Sequence, residues 1–154
     1  MAGPDQNFGF LLADATRMLR AELDRRIAES GLGLTAGDGR TLVHVERAGD
    51  VRQSVLAERM GVEAMTLSGS LDRLEARGLV VRRPDPDDRR AKIVELTSEG
   101  VSVLKRIDPM GAALRSEAAA GIDPGDWAVF ITTLGRVRDN LAAMRESARK
   151  DSAA

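Results

Sequence analysis

Cysteine is absent from this 154-residue chain, which excludes disulfides, thiolate zinc sites and cysteine redox sensing. Histidine occurs once, at His44, and there is neither a Gly-rich phosphate loop nor a nucleophile elbow. Little is left from which to build catalysis, and the chain reads as a non-enzyme with no metal and no cofactor. No apolar run approaches the roughly 18 to 20 residues needed to span a membrane. The opening Met1-Ala2-Gly3-Pro4-Asp5 lacks a positive n-region and an apolar h-region, so a cytoplasmic protein is expected. Lysine is scarce as well: only Lys92, Lys105 and Lys150 among 23 basic residues, a bias read as genome base composition.

What is present is organised around the stretch from Val51 to Thr97. A short apolar-periodic run, Val55, Leu56 and Met60, stops at Gly61. A second run places Leu67, Leu71 and Leu74 at i, i+4 and i+7 and stops at Gly78. The period then turns strand-like through Leu79 to Arg83. A loop, Pro84 to Arg90, reverses the chain, and Ala91 to Leu96 returns as a second strand. Helix, tight turn, helix and charged hairpin describe a winged helix-turn-helix, a shape that reads DNA.

The flanks are helical. From Asn7, apolar residues Phe8, Leu11, Leu12, Ala15, Leu19, Leu23 and Ile27 recur at three or four, up to Gly31 and Gly33. Thr35 to Asp38 predicts a capping box opening a helix through Arg47, with Gly37 and Gly39 each costing about 1 kcal/mol relative to alanine. Thr97 reads as an N-cap for a helix that Pro109 should kink or interrupt. Asp123-Pro124 supplies a further N-cap with proline at the first helical position. That last helix carries Trp127, Phe130, Ile131, Leu134, Val137, Leu141 and Met144 at near-heptad spacing, and the polar tail after Arg145 is expected to fray, as are residues 1–6.

The fold class is therefore mainly α with a small β-hairpin wing (α+β), a winged helix-turn-helix flanked by long N- and C-terminal dimerisation helices. The chain forms a single domain, 1–154, with a DNA-binding lobe at 34–97 and dimerisation helices at 7–30 and 123–146. Phe8, Leu11, Trp127, Phe130, Ile131, Leu134 and Leu141 are the expected homodimer interface, since the C-terminal cluster is too wide to leave exposed. Packing of that cluster within the monomer is the alternative.

Formal net charge is −1, and placement matters more than the sum. Residues 51–92 hold nine basic against seven acidic residues, an excess of two concentrated in the hairpin. On the second helix of the motif, Met65, Thr66, Ser68, Gly69 and Arg73 lie opposite the leucines. Short side chains there suit a major-groove floor, with Met65 or Thr66 on a thymine methyl. Arg73 reads either as a guanine or phosphate contact or as half of an ion pair with Asp72. Gln53 and Ser54 open the preceding helix as phosphate donors or plain caps. At the hairpin tip, Arg89 and Arg90 can enter the minor groove, with Asp88 bracing Arg90 through a bidentate pair. A merely solvated charged loop is the bland reading. Asp85, Asp87 and Asp88 are expected on an exposed turn without shifted pKa values.

Three runs carry a family resemblance: Leu56 to Val62, Leu71 to Val80, and Arg82 to Ala91, followed by Leu96-Thr97-Ser98-Glu99-Gly100. Together they resemble the MarR family of transcriptional regulators over nearly the whole chain, most tellingly in Asp88-x-Arg90. The resemblance implies a homodimer laying two winged lobes on successive major grooves of a pseudo-palindromic double-stranded operator. It also implies repression relieved by a small aromatic or phenolic effector. The sequence departs from the family pattern at Gly69-Ser70, where a longer, often basic residue and then an apolar one are usual. It departs at Gly39, where a ring is usual and whose loss would enlarge or loosen a cavity, and at Arg52, which replaces a capping hydroxyl and can meet a phosphate.

The effector pocket is expected between the first, second and fifth helices. Arg17, Arg20, Arg40 and His44 are its polar candidates, and His44 is either a group that changes charge near neutral pH or an ordinary helix histidine. The rival functional class is a winged helix kept for protein contacts without DNA binding, which predicts a dispensable wing tip.

Overall fold

The computed structural model describes residues 7–151, so the expectations for residues 1–6 and for the last three residues fall outside it. Among the described residues there are six helices and three strands. They are α1 (Phe8–Glu29), α2 (Ala36–Ala48), β1 (Val51–Arg52), α3 (Gln53–Met60), α4 (Ala64–Ala76), β2 (Val80–Pro84), β3 (Lys92–Leu96), α5 (Ser98–Ala118) and α6 (Pro124–Asp151). One compact unit extends to Leu114 and a second begins at Arg115.

In the first unit, Leu67, Leu71 and Leu74 of α4 are fully buried with Leu42, Leu56, Val94, Leu104 and Ile107. Each such leucine contributes about 1.5 to 3 kcal/mol of burial. The turn between α3 and α4 depends on Gly61, which closes α3 in the left-handed region at φ 65°. Its N–H and that of Val62 cap the carbonyls of Glu58 and Ala57 at 3.1 Å.

The hairpin is part of a three-stranded antiparallel sheet of order β1-β3-β2. Val51 lies opposite Val94 and Arg52 opposite Ile93, so two residues expected to lead into a helix form an edge strand instead. Two residues are too few to show a period of two. Pro84 ends β2 opposite Lys92, on the other sheet edge, where a missing N–H is tolerated.

Gly39 leaves no cavity. A Cβ there would come within 2.8 Å of the Ile27 side chain, which lies fully buried against the bare backbone of α2. The space left by a missing ring is filled from α1. Thr35 caps α2 by accepting the Asp38 N–H at 3.1 Å. Pro109 does not interrupt α5, which runs through it. α6 continues past Arg145 to Asp151.

In the second unit, Asp123 caps α6 by accepting the N–H groups of Gly125 (2.8 Å) and Asp126 (3.3 Å). No residue of α6 is buried in the single chain. Trp127 and Phe130 make a tilted ring pair at 5.4 Å, with Phe130, Ile131 and Leu141 about half exposed and Trp127 and Leu134 partly covered. On α1, Phe8 and Leu11 are likewise exposed.

Candidate nucleic-acid interface

Burying the leucine face of α4 turns the opposite face outward. Met65 and Thr66 are exposed, while Ser68 and Gly69 are partly covered. Gln53, the first residue of α3, is partly covered and Ser54 is exposed. The wing tip extends Asp88, Arg89 and Arg90 into solvent, and among the described residues neither arginine meets a carboxylate. The sheet and the helix-turn-helix thus present the expected residues in three places: the start of α3, one face of α4 and the tip of the hairpin.

Several arginines are committed to the protein. Arg73 pairs with Asp38 rather than Asp72. Its Nε and Nη2 donate to Asp38 Oδ2 (3.1 Å) and Oδ1 (2.8 Å) on α2. Asp38 is buried and accepts the Ser70 hydroxyl as well, at 2.5 Å. Burial pulls the Asp38 carboxyl upward, but the hydrogen bonds from Arg73, Ser70 and Thr35 outweigh it and hold it below the usual range. Ser70 therefore faces the interior, where an apolar residue would break this arrangement. Thr41 completes it, with its hydroxyl 3.1 Å from Ser70 Oγ and 2.8 Å from the Gly37 carbonyl. The single Thr41 proton goes to one of these two acceptors, because Ser70 gives its own to the carboxylate.

Arg52 bonds Asp85 at the base of the wing through Nε, an ion pair where a phosphate contact was expected. Asp85 departs further from expectation. It is buried, and its Oδ1 accepts the N–H groups of Asp87 (2.8 Å) and Asp88 (3.3 Å). The Asp87 N–H above all, with Arg52 beside it, keeps the Asp85 carboxyl below its ordinary range against the pull of burial. Asp88 also acts differently from the expected side-chain pair: its carboxylate accepts the backbone N–H of Arg90 at 3.0 Å. The turn is shaped by carboxylate-to-backbone bonds, and the tip guanidiniums are left out of them.

Nothing in local spacing points to the role of Arg82. From β2 it reaches Asp72 (2.6 Å) and Glu75 (2.6 Å) on α4, while its N–H bonds Glu75 at 3.0 Å. These bonds, chiefly the one from the Arg82 guanidinium, lower the Glu75 pKa and tie the wing to α4. Arg77 was also missed. It donates to the Gly33 (2.6 Å) and Leu32 (2.9 Å) carbonyls and anchors the end of α4 to the loop before α2. A strand arginine seven residues from a helix glutamate, or an arginine bonded to carbonyls over forty residues away, leaves no periodic signature.

Arg17, Arg20 and Arg40 line one pocket of about 600 Å³ with Leu12, Ala13, Thr16 and Asp24. It is lined by residues of α1 together with Arg40 of α2. Arg17 pairs with Asp14 at 3.0 Å, and Arg40 pairs with Asp24, whose other oxygen is buried with no hydrogen-bond partner among the described residues. His44 is not part of the lining. Burial first, then the charges of Arg47, Arg20 and Arg40, holds its pKa below the usual value, so it is neutral at physiological pH.

Comparison with known proteins places this geometry among regulators. The MarR family model matches residues 32–91, from the start of α2 through the wing. A solved transcriptional regulator, PA3341, is 38% identical over 88% of this chain and 98% of its own, with a TM-score of 0.74. A MarR-family regulator from Silicibacter pomeroyi is 29% identical, covering 90% and 92%, with a TM-score of 0.75. Another from Rhodococcus sp. RHA1 is 28% identical, covering 94% and 96%, with a TM-score of 0.69.

Proposed function

The chain belongs to the MarR family of transcriptional regulators, and from that premise we propose that it is a sequence-specific, homodimeric double-stranded DNA-binding repressor acting in the cytoplasm. The observation that carries this reading is the contrast between braced and free arginines. Arg52 and Arg82 hold the wing at its base and against α4, while Arg89 and Arg90 stand exposed beyond them. A rigid mount under two unpaired guanidiniums suits entry into a minor groove beside a helix lying in the major groove. Met65, Thr66, Ser68 and Gly69 then face base edges, and Gln53 and Ser54 face phosphates. The exposed apolar residues of α1 and α6 supply the dimer interface. The arginine pocket between α1 and α2 admits a small effector with an anionic group and an apolar body.

Binding to DNA from near its own gene is the test, measured at several salt concentrations. The expected complex is one dimer on half-sites roughly 34 to 36 Å apart. Arg90→Ala is expected to weaken binding by about tenfold, with the dimer still folded, since each lost contact of this kind is worth on the order of 1 to 3 kcal/mol. Unchanged affinity at every salt concentration would remove the wing from the interface. A genomic pull-down that retains a protein and no DNA would remove the function.

A further inference from the structure

Resting on the DNA-reading function above, we infer that Asp38 is a specificity-determining positioning residue, which holds Arg73 side-on so that its outer edge reads a guanine. A guanidinium has five N–H donors. Asp38 takes one from Nε and one from Nη2, which leaves Nη1 and the second Nη2 hydrogen for another partner. Those remaining donors form the end-on edge of the fork, the edge that matches guanine O6 and N7 bidentately.

Nη1 is placed for this. It lies 3.6 Å from where a Gly69 Cβ would stand, the one side-chain atom within 4 Å of that point, and makes no hydrogen bond among the described residues. The guanidinium is thus drawn one turn back along α4, beside Gly69. In a helix-turn-helix it is the N-terminal half of this helix that meets base edges. A long side chain at position 69 would occupy that space, and glycine leaves it open to Arg73. The Arg73 side chain remains about half exposed despite its two bonds.

Charge favours a base over a phosphate. Asp38 neutralises much of the local field of Arg73, which weakens its pull on a phosphate but leaves its directed N–H groups intact. Asp38 itself cannot swing away, being buried and bonded to Ser70, which Thr41 backs. The pair is a fixed fork, not a mobile side chain that settles after docking.

The test uses the full-length dimer and a library of randomised duplexes, with wild type, Asp38→Asn and Arg73→Lys selected in parallel. Wild type is expected to enrich one guanine per half-site that Arg73→Lys no longer requires. Asp38→Asn keeps the side-chain shape and is expected to lose the preference at that same position, by about 5- to 150-fold, while other positions hold. Replacing that guanine by 7-deazaguanine should weaken wild type and leave Asp38→Asn unaffected. Losing Arg73 should change the salt slope by well under the ~0.9 of a phosphate contact. Asp38→Asn affinity that falls equally on all sequences would reduce Asp38 to a packing role and overturn the inference. So would an unchanged preference in the folded Arg73→Lys dimer. Wild type that enriches no duplex at all fails the DNA-reading function itself, a different result from either.

Discussion

A methyl group at Gly100 would sit 2.1 Å from the carbonyl oxygen of Leu79, in the backbone rather than at the end of a flexible side chain. That carbonyl already accepts the Thr97 N–H at 3.2 Å, and Thr97 in turn bonds the Gly78 carbonyl (2.6 Å) and caps Gly100 (3.0 Å). Gly100→Ala gains about 1 kcal/mol of helix propensity, yet overpacking against an anchored strand end costs about 3 kcal/mol. The variant is expected to unfold at a clearly lower urea concentration. At His44 the argument is electrostatic. Its folded pKa is depressed by burial and by the charges of Arg47, Arg20 and Arg40, so the unfolded chain takes up the proton first. This residue therefore costs stability as pH falls below about 6.5. An anion filling the α1–α2 pocket neutralises Arg20 and Arg40 and should raise the His44 pKa. Imidazole proton shifts followed by NMR across pH 4.5 to 8, with and without salicylate or benzoate as the probe, measure it. An unmoved midpoint with a bound anion would place that anion elsewhere.

Helix elements differ in how far local chemistry decides them. The Asp123-Pro124 start of α6 and the Gly61 end of α3 are fixed by residues within one turn, and both stand where the sequence puts them. Pro109 is the counterexample. Proline removes one N–H and crowds the preceding turn, which predicts a break, yet α5 stays continuous, with Val103, Leu104 and Ile107 buried before it and Leu114 after it. Their burial, at about 1.5 to 3 kcal/mol each, exceeds the roughly 3 kcal/mol proline penalty. Pro109 itself is exposed, so Pro109→Ala loses no packing and should stabilise the protein by about 1 to 3 kcal/mol, seen as a higher Tm. For the wing, Arg82→Ala removes the bonds to Asp72 and Glu75. It is expected to speed amide exchange in β2 and at the tip without changing α3.

At the scale of the whole molecule, the unburied apolar residues on α1 and α6 are the main unpaid debt of the single chain. In the proposed homodimer a second copy would cover such residues. Ending the chain before Asp123 removes all of α6. Sedimentation of the truncated protein is expected to show a monomer, with Phe8 and Leu11 left exposed; a stable truncated dimer would move the interface off α6. The acid side of stability also belongs here, through Asp38 and Asp85. Both have folded pKa values below their ordinary ones, so their contribution is complete above about 3.8 and is lost as pH falls through the lower folded values.

The amino-acid order alone determined the helix-turn-helix, its leucine face, the hairpin and the capped start of α6, because each rests on periodicity or on a bond between residues a few positions apart. Tertiary structure alone decided which charges are spent. Arg73 and Asp38 are 35 positions apart and Arg52 and Asp85 33, and nothing in local spacing selects those partners over Asp72 or a phosphate. Packing α2 against α4 buried Asp38, and a buried carboxylate must find donors. Folding the wing onto β1 did the same for Asp85. The arginines they took are held by those bonds, whereas Arg89 and Arg90 at the wing tip meet no carboxylate among the described residues.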